Sequence, residues 1–518
     1  MYFLCSSISY HAAAASFAQL SFSYFPYLDV RLDGQPLAFS RSAFNLLVVE
    51  LPAGRHVVSI AARVSPLRRT AFLITLAATV LVILIPTSFV GRVWPAACTQ
   101  TGLVPRNRRM MNPGVMRAVD YWVGVPACFA LTCLRKLAQR LRGTQAVDLA
   151  RPRNIVVIEL VEMGVLVIAY PALRKLKELY PDARIHFLAF KQIRPSIEML
   201  GILEPDDILT IDSSSLWTLL RDTLRFFWTA RRRQIDTVIN LETFVRYSAI
   251  MSFLSGARRR IGFFRFNQEG VYTGDLLTHD VSYNAHIHSA HTYLDLVHAL
   301  DAAPGQVPRV KRRYADDDLS VPQIVTDAAT AQALWAKLAT FNPRLVPGCR
   351  LVIVNPNASE LFLLRKLPLE NYAELVRKLL SDPEMFVAIT GVAREKPDAQ
   401  YICRAVADPR AIDLTGATGL MELLHLFNLA EMVITNDSGP AHFACLTSAH
   451  IVVFFGPELP DRFRPLSANC DVIYGGYSCS PCVSPFNQRL TPCNDNLCLK
   501  TLSVDAIYQV VRRRLYGE

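Results

Sequence analysis

Two stretches of the chain, beginning near residues 154 and 350, repeat the same alternation of strand and helix patterns. The first opens with "NIVVIEL", continues through the helical pattern "AYPALRKLKELYP", and returns to a strand at "RIHFLAF". The second opens with "RLVIVNPNAS" and runs through "LENYAELVRKLL" to "MFVAITG". Continuous apolar runs of this length are typical of parallel strands that are buried on both faces. The alternation therefore predicts an α/β fold in two halves.

We predict two facing Rossmann-like domains, one over residues 151–330 and one over residues 345–518. A proline-rich connection separates them, and it contains one helical pattern, "AATAQALWAKLATF". Ligands of such sheets bind in the crevice at the carboxyl ends of the strands.

The chain before residue 151 has a different organisation. Residues 1–64 are predicted to form a small β module, because "YLDVRLDGQPL" and "NLLVVELPAGRHVVSIAARV" alternate apolar and polar residues around turns. Residues 65–95 are predicted to contain one transmembrane helix. Residues 70–91 carry no charged side chain, and they are enough to cross a hydrocarbon core of about 30 Å. The alternative is a helix buried in a protein core.

Residues 96–150 are predicted to be a basic, amphipathic linker close to the membrane. The apolar stretch "YWVGVPACFALTCL" is too short to span a bilayer. It either lies in the membrane interface, with Tyr121 and Trp122 among the headgroups, or packs on the domain that follows. Arginines are more numerous after the predicted span than before it, which favours a cytoplasmic location for the C-terminal part. We therefore expect a protein of the inner (cytoplasmic) membrane, with both α/β domains in the cytoplasm.

The formal net charge of +11 favours anionic partners, such as a membrane surface or phosphate-bearing ligands. The sequence has no zinc-finger, RNP or helix-turn-helix pattern, so no nucleic-acid partner is predicted.

The polar segment "NDSGPAH" stands between the apolar strand "EMVIT" and a helix. Ser438 is predicted to cap the helix, and Gly439 and Pro440 suit its first turn. The exposed N–H groups and the positive end of the helix would bind an anion such as a diphosphate. Asp437 can brace the loop, and His442 follows one turn later. The alternative is an ordinary strand-to-helix turn with a good cap.

The segment from "DLTGATGLMELLH" to "VVFFGP" resembles the donor site of the heptosyltransferases, glycosyltransferase family 9. The segment "NPNAS…LRKLP", the cysteine-containing tail and the unit "NIVVIELVEMGVLVIAYPALRKLKELYPDARI" resemble other parts of that family, so the resemblance covers about residues 151–515. It implies a GT-B fold and inverting, metal-independent sugar transfer. The donor would be a nucleotide-diphosphate sugar, ADP-heptose or similar, and the acceptor a lipid-linked or envelope saccharide.

The strand module and apolar segment at the N-terminus resemble instead the C-terminal end of a YfhO-type membrane protein. That resemblance implies a fusion, or a start site that includes the tail of a neighbour.

The family resemblance also implies donor-binding roles. The residues concerned are Ser359, Arg365, Lys366, Glu395, Asp437, Ser438, Gly439, Pro440 and His442. Arg365 and Lys366 would stabilise the leaving diphosphate, and the alternative is a pair of solvated loop charges. Glu395 falls where the family uses a glutamate near the donor ribose, and the alternative is a solvated helix start.

The first loop of the family reads Gly-Asp, and that aspartate is its expected general base. This chain has Gly164-Val165 instead, and a valine side chain accepts no proton. Glu162 is the carboxylate that we predict as the replacement base. The alternatives are a base from elsewhere in the chain, or a non-catalytic nucleotide-sugar-binding or scaffold protein of envelope glycan assembly.

Four cysteines cluster near the C-terminus: Cys479, Cys482, Cys493 and Cys498. Four thiolates at such spacings can close a tetrahedral zinc site, and the alternative is free or loop-stabilising thiols. No other cofactor is predicted.

Overall fold

The computed structural model describes residues 5–23, 28–41, 46–62, 113–142, 151–264, 271–302, 306–358, 360–487 and 491–517. The chain divides into two units, Met1–Pro105 and Arg106–Glu518.

The first unit contains antiparallel strands where the sequence predicts a small β module. They are β1 (Cys5–Ala12), β2 (Ser16–Ser23), β3 (Leu28–Leu32), β4 (Gln35–Pro36), β5 (Phe39–Arg41), β6 (Leu46–Leu51) and β7 (Gly54–Ala62). They form two sheets, ordered β1-β7-β3-β4 and β2-β6-β5. Val30, Leu47, Val49 and Val58 lie in a shared apolar cluster, so the strands bury one face as the alternating pattern requires.

The predicted transmembrane helix at residues 70–91 lies outside the described residues. Within the parts of the chain that the structure describes, no helix is both long enough and apolar enough to cross a membrane.

The second unit opens with two helices and continues into a parallel sheet. The helices are α1 (Pro113–Trp122), α2 (Gly124–Arg142), α3 (Met163–Leu179), α4 (Arg194–Met199), α5 (Leu216–Arg232), α6 (Arg246–Leu254) and α7 (Ser289–His298). The strands are β8 (Asn154–Ile158), β9 (Arg184–Phe190), β10 (Ile208–Ile211), β11 (Thr237–Asn240), β12 (Arg259–Phe264) and β13 (His279–Ser282). They are all parallel and lie in the order β10-β9-β8-β11-β12-β13.

A second parallel sheet of the same order follows. Its strands are β14 (Arg350–Asn355), β15 (Met385–Ile389), β16 (Ala411–Asp413), β17 (Met432–Asn436), β18 (His450–Phe455) and β19 (Cys470–Tyr474), ordered β16-β15-β14-β17-β18-β19. The helices are α8 (Ala328–Phe341), α9 (Leu369–Leu379), α10 (Lys396–Val406), α11 (Leu420–Leu429), α12 (Gly439–Ala444), α13 (Pro460–Phe463), α14 (Leu497–Lys500) and α15 (Val504–Tyr516).

The predicted parallel α/β halves are confirmed. The central strands β14 and β17 are buried almost throughout, which explains why their sequences are continuous apolar runs rather than alternating ones. In both sheets the strand order reverses beside the first strand, between β8 and β11 and between β14 and β17. Ligand sites of such sheets form at these reversals, so the residues that follow these four strands are the candidates for function.

Helices α1 and α2 pack on the first parallel sheet's domain. Cys128 of α2 is fully buried and packs in a cluster with Ala249 and Leu276. A buried ion pair joins Asp120 of α1 to Arg246 of α6, with an Nη1–Oδ2 distance of 2.8 Å. Both helices are thus fixed to the domain through their inner faces.

The two halves contact each other through aromatic side chains. The ring of Phe486, from the second half, lies 5.6 Å from the rings of both Phe244 and Tyr283 of the first half. Nearby, the His288 Nε2 atom is 2.9 Å from the carbonyl oxygen of Arg464. These contacts hold the carboxyl ends of the two sheets on either side of one cleft.

Asn436, at the end of β17, holds the loops at the second reversal together. Its side-chain oxygen accepts a hydrogen bond from the Leu367 N–H at 3.0 Å. Its side-chain nitrogen donates to the carbonyl oxygens of Pro356 at 2.9 Å and Asn357 at 3.3 Å. Because the amide is fully buried, losing it would leave those backbone groups without partners.

We expect Asn436→Ala to lower the free energy of unfolding by about 2–3 kcal/mol, since three hydrogen bonds are lost from a buried site. Thermal unfolding of the full chain measures this. Asn371→Ala is the control, because Asn371 is half-buried and donates one long hydrogen bond, 3.4 Å, to Leu502. Equal effects of the two substitutions would contradict the bridging role of Asn436.

Candidate active site

The imidazole of His442 lies directly against Gly164, and this contact joins the two halves at the candidate site. A Cβ atom added to Gly164 would lie 2.7 Å from the His442 Cδ2 atom. Real Cβ atoms do not approach that closely, so glycine is required for α3 and α12 to pack as they do. The loop that carries Glu162 and the "NDSGPAH" segment therefore meet in the cleft.

A cavity of about 310 Å³ opens on the first half's side of this cleft. Its wall includes Phe362 and Pro485 from the second half. Four carboxylates line it: Asp120, Glu159, Glu162 and Glu242. Asp120 is paired with Arg246, whereas the three glutamates follow β8 and β11, the strands at the reversal. The cavity thus collects acidic groups where a Rossmann-like sheet places its ligand.

The structure places Glu162 at the start of α3, half-buried in the cavity wall. Its backbone N–H donates to the Glu159 carboxylate at 3.2 Å, which helps to fix the turn. Val165 also lines the cavity and is buried. The position where the resembling family has aspartate therefore faces the same space as Glu162, but presents only methyl groups.

Sequence reasoning missed Glu242. Its Oε1 atom accepts a hydrogen bond from the Leu160 N–H at 2.8 Å, which ties the loop after β11 to the loop after β8. Burial raises the pKa of Glu242 to about 7, the charge of Asp120 adds to that effect, and the Leu160 N–H opposes it. The available signal was a carboxylate directly after a strand pattern, in "DTVINLETF".

On the second half's side, Asp437 follows β17 and is almost fully buried. Its Oδ2 atom lies 3.4 Å from the Nε atom of Arg365, and an Nη atom of Arg365 lies 3.8 Å from Glu458. Burial raises the pKa of Asp437, and the Arg365 charge opposes that rise. The structure thus brings together Arg365 and Asp437, which lie far apart in sequence and were both predicted for the donor.

Glu458 and Arg462 complete this buried charge cluster, and the sequence analysis missed both. Glu458 follows β18 and is completely buried, which raises its pKa to about 7. Among the described residues, the Nε and Nη1 atoms of Arg462 and both carboxylate oxygens of Glu458 have no hydrogen-bond partner. Buried polar atoms without partners are costly, so the cluster has hydrogen-bonding capacity for a ligand or ordered water.

The "NDSGPAH" turn is formed largely as predicted. Ser438 occupies the N-cap position of α12, but its hydroxyl donates to the Asn436 carbonyl at 3.2 Å instead of capping the helix with its side chain. Pro440 lies in the first turn, as predicted. A Cβ on Gly439 would make only an ordinary 3.5 Å contact with Phe443. Because α12 has only six residues, an anion at its start would be bound mainly by the first backbone N–H groups and not by the dipole of a long helix.

His442 is buried and its Nδ1 atom has no hydrogen-bond partner within the described part of the chain. Burial lowers its pKa to about 3, and the charges of His288 and Arg365 add to the shift. The ring is therefore neutral at physiological pH, which suits its position against Gly164.

Lys366 and Glu395 lie near enough for the Lys366 charge to act on the Glu395 carboxylate. The Lys366 ammonium pairs with Asp398. The Glu395 carboxylate accepts a hydrogen bond from the Val392 N–H at 2.8 Å, and burial raises its pKa. Glu395 is half-buried, not the solvated helix start that the sequence left open. Ser359, also predicted here, lies outside the described residues.

The zinc interpretation of the clustered cysteines is not supported by the geometry. Among the described residues, no three or more His, Cys, Asp or Glu side chains are placed to hold a metal ion. Cys479 is exposed, Cys498 is buried, and the Cys493 thiol donates to the Asp495 carbonyl at 3.3 Å. The thiols are near enough to raise the pKa of Cys498, though burial is the larger cause. They do not converge on one point, as tetrahedral ligands must.

Residues 223–489 match the family described as "Glycosyltransferase family 9 (heptosyltransferase)", and they make up just over half of the chain. The chain belongs to glycosyltransferase family 9. The matched segment contains Glu242, Arg365, Glu395 and the "NDSGPAH" block. The protein is thus a glycosyltransferase of the heptosyltransferase family.

Relatives of this family 9 protein include lipooligosaccharide heptosyltransferase 2 of Haemophilus influenzae. The two are 23% identical over 323 residues, which cover 62% of this chain and 88% of the relative. Lipopolysaccharide heptosyltransferase 2 of Escherichia coli is 30% identical over 112 residues, 21% of this chain and 32% of that protein.

Solved structures show the same fold. The E. coli ADP-heptose lipopolysaccharide heptosyltransferase II structure has a TM-score of 0.54 at 19% identity, and covers 70% of this chain and 99% of the other. A family 9 glycosyltransferase from Veillonella parvula has a TM-score of 0.53 at 17% identity, and covers 72% of this chain and 100% of the other. These similarities confirm the GT-B fold for the α/β part of this glycosyltransferase.

We expect Gly439→Ala to leave the fold intact but to weaken ADP binding by about tenfold, because a diphosphate that binds at the start of α12, as the sequence predicts, would have to accommodate the added methyl group. The backbone of this glycine does not have the left-handed φ that would forbid alanine, so unfolding free energy should change by less than about 1 kcal/mol. Calorimetric titration with ADP measures the affinity. Gly419→Ala is the control, since its Cβ would contact nothing within 4 Å; equal affinities for the two variants would contradict the close approach.

A second prediction concerns Glu242 and pH. The folded-state pKa of about 7 exceeds the unfolded value of about 4.3, so the folded protein keeps a proton that the unfolded chain loses between these values. This glutamate therefore lowers stability as pH rises through that window, by up to about 4 kcal/mol. Glu242→Gln should raise the melting temperature more at pH 8 than at pH 5. The same shift at both pH values, or an equal pH dependence in the exposed control Glu384→Gln, would contradict the assignment.

Proposed function

We propose that this glycosyltransferase moves a heptose-like sugar from a nucleotide-diphosphate donor, ADP-heptose or similar, onto a lipid-linked or envelope saccharide. The observation that carries the proposal is the position of the family's donor segment at the end of β17, with the buried Asp437 and the half-buried Arg365 beside it. The acidic cavity lies across the cleft from this segment. The two are close because His442, in the segment, contacts Gly164, which lies between the cavity residues Glu162 and Val165. The names of the relatives, which are lipopolysaccharide and lipooligosaccharide heptosyltransferases, support this substrate class.

In the proposed donor complex, the diphosphate accepts hydrogen bonds from the backbone N–H groups of Ser438 and Gly439 at the start of α12. Pro440 has no backbone N–H and contributes only its ring. Arg365 provides positive charge from the buried cluster, and Lys366 provides it from the flank. These charges stabilise the diphosphate as it leaves. Asp437 and His442 shape the loop, Ser359 would add a hydroxyl, and Glu395 would contact the ribose.

Transfer would proceed by one displacement, which inverts the anomeric centre. The acceptor hydroxyl loses its proton to a general base, its oxygen attacks the anomeric carbon, and the bond from that carbon to the diphosphate oxygen breaks. Glu162 is the proposed base, because it lies in the cavity wall two residues before Gly164. The proposed reaction needs no metal ion, since cationic side chains take the leaving-group charge.

The predicted helix at residues 70–91 and the basic composition support a location at the inner (cytoplasmic) membrane, with the catalytic domains in the cytoplasm. A lipid-linked acceptor would be available at that surface. No nucleic acid is among the proposed partners.

One observation favours a second function. Val165 faces the cavity where the resembling family has its base, as expected if the chain has kept donor binding and lost catalysis. The protein would then be a non-catalytic nucleotide-sugar-binding or scaffold protein of envelope glycan assembly.

We expect Glu162→Gln to reduce sugar transfer by about 10²–10⁴-fold while ADP affinity stays within about twofold of wild type, because only proton removal is lost. The assay offers the full chain ADP-heptose and, separately, UDP- and GDP-sugars, with a lipid extract as the acceptor source. Donor binding is measured in parallel on the same samples.

Glu242→Gln is the matched control, because Glu242 lines the same cavity from the other strand of the reversal. Loss of transfer in Glu242→Gln alone would overturn the assignment to Glu162 and make Glu242 the base. Donor binding without turnover by the wild-type chain, for every donor and acceptor offered, would favour the scaffold function.

A further inference from the structure

Helix α5 exposes a continuous apolar stripe. Leu216, Leu220 and Leu224 recur every four residues, and Trp217 and Trp228 lie beside them on the same side of the helix. Trp217 is 71% exposed, Trp228 is 59%, Leu224 is 58% and Leu220 is 52%. The opposite side of α5, with Phe226 and Ala230, is buried against the sheet. Large apolar side chains grouped in this way on a surface mark an interaction site.

The stripe is bordered by positive charge. Four exposed arginines lie on α5: Arg221, Arg225, Arg231 and Arg232. The one acidic residue of the helix, Asp222, is buried and pairs with Arg221. The Arg232 guanidinium lies 5.2 Å from the centre of the Trp228 ring, so the basic and aromatic groups form one surface.

This surface borders the acidic cavity. Leu219, on the inner side of α5, lines the cavity next to Tyr247, whose hydroxyl is hydrogen-bonded to Thr223 at 2.5 Å. Val123, between α1 and α2, lines another part of the same wall, and its neighbour Trp122 is exposed. Exposed aromatic side chains thus stand beside the cavity on two different elements.

We propose that the outer face of α5, residues 216–232, docks on an anionic lipid bilayer. Leucine and tryptophan side chains enter the boundary between headgroups and acyl chains, while arginines beside them contact lipid phosphates. Tryptophan favours that boundary because its ring is apolar and its N–H is polar. This contact is separate from the predicted helix at residues 70–91, and it rests on the proposed membrane location but not on transfer activity.

The charges of the surface favour a bilayer over a second copy of the chain. Pairing two α5 faces would bring rows of arginines together, with no exposed carboxylate on the helix to offset their repulsion. A surface with anionic headgroups offers the opposite charge along the whole stripe.

The test uses tryptophan fluorescence of the full chain, mixed with phosphatidylethanolamine vesicles that contain about 30% phosphatidylglycerol and a brominated acyl chain. Bromine quenches tryptophans that enter the boundary region. The part of the quenching due to α5 is the difference between wild type and Trp217→Phe/Trp228→Phe. We expect the quenching due to α5 to fall roughly threefold or more in Leu220→Glu/Leu224→Glu. We expect a similar fall for the wild-type protein in high salt.

Val325→Glu/Val346→Glu is the matched control, because these two valines are exposed apolar residues outside α5. It should quench like wild type, and all variants should unfold at the same temperature as wild type without vesicles, which shows that they fold. The proposal is overturned if wild type shows no α5 quenching or the same quenching in purely zwitterionic vesicles. It is also overturned if acrylamide fails to reach the α5 tryptophans without vesicles, or if Leu220→Glu/Leu224→Glu only dissociates an oligomer.

Discussion

The ring of His442 rests on the backbone of Gly164 so closely that no side chain fits between them. This contact holds α12, which carries the donor segment, against α3, which begins at the proposed base. His442 is buried, and burial lowers its pKa to about 3, which keeps the ring uncharged in this contact. The distance between the two loops is thus set by a steric contact and not by an ion pair.

Sequence patterns predicted the parallel sheets because strands buried on both faces must be continuously apolar, as in β14 and β17. They also located the "NDSGPAH" turn, whose cap and proline follow from local backbone chemistry. Sequence patterns did not identify Glu242, Glu458 and Arg462. Each of these residues meets its partners only when strands far apart in sequence become neighbours in a sheet. The four cysteines show the converse limit: spacing along the chain does not tell whether side chains converge.

The donor-side cluster contains two carboxylates and two guanidinium groups in a buried setting. Arg365 is shared between Asp437 and Glu458 at distances of 3.4 and 3.8 Å, longer than good hydrogen bonds. Arg462 keeps guanidinium N–H groups without partners among the described residues. The cluster is incompletely hydrogen-bonded, and burial favours the protonated form of its two carboxyl groups. An anion that enters could therefore accept hydrogen bonds from guanidinium groups that are already charged.

The acidic wall of the cavity also acts as a filter for charge. Glu159, Glu162 and Glu242 line one space of about 310 Å³. Each of these carboxyl groups that is ionised would repel a phosphate or carboxylate brought into that space. A neutral, hydroxyl-bearing part of an acceptor meets no such barrier. Arg117 is the cationic residue among the described residues that line the cavity. Anionic groups on the proposed acceptor would therefore stay outside the cavity, and that would orient the molecule before any bond changes.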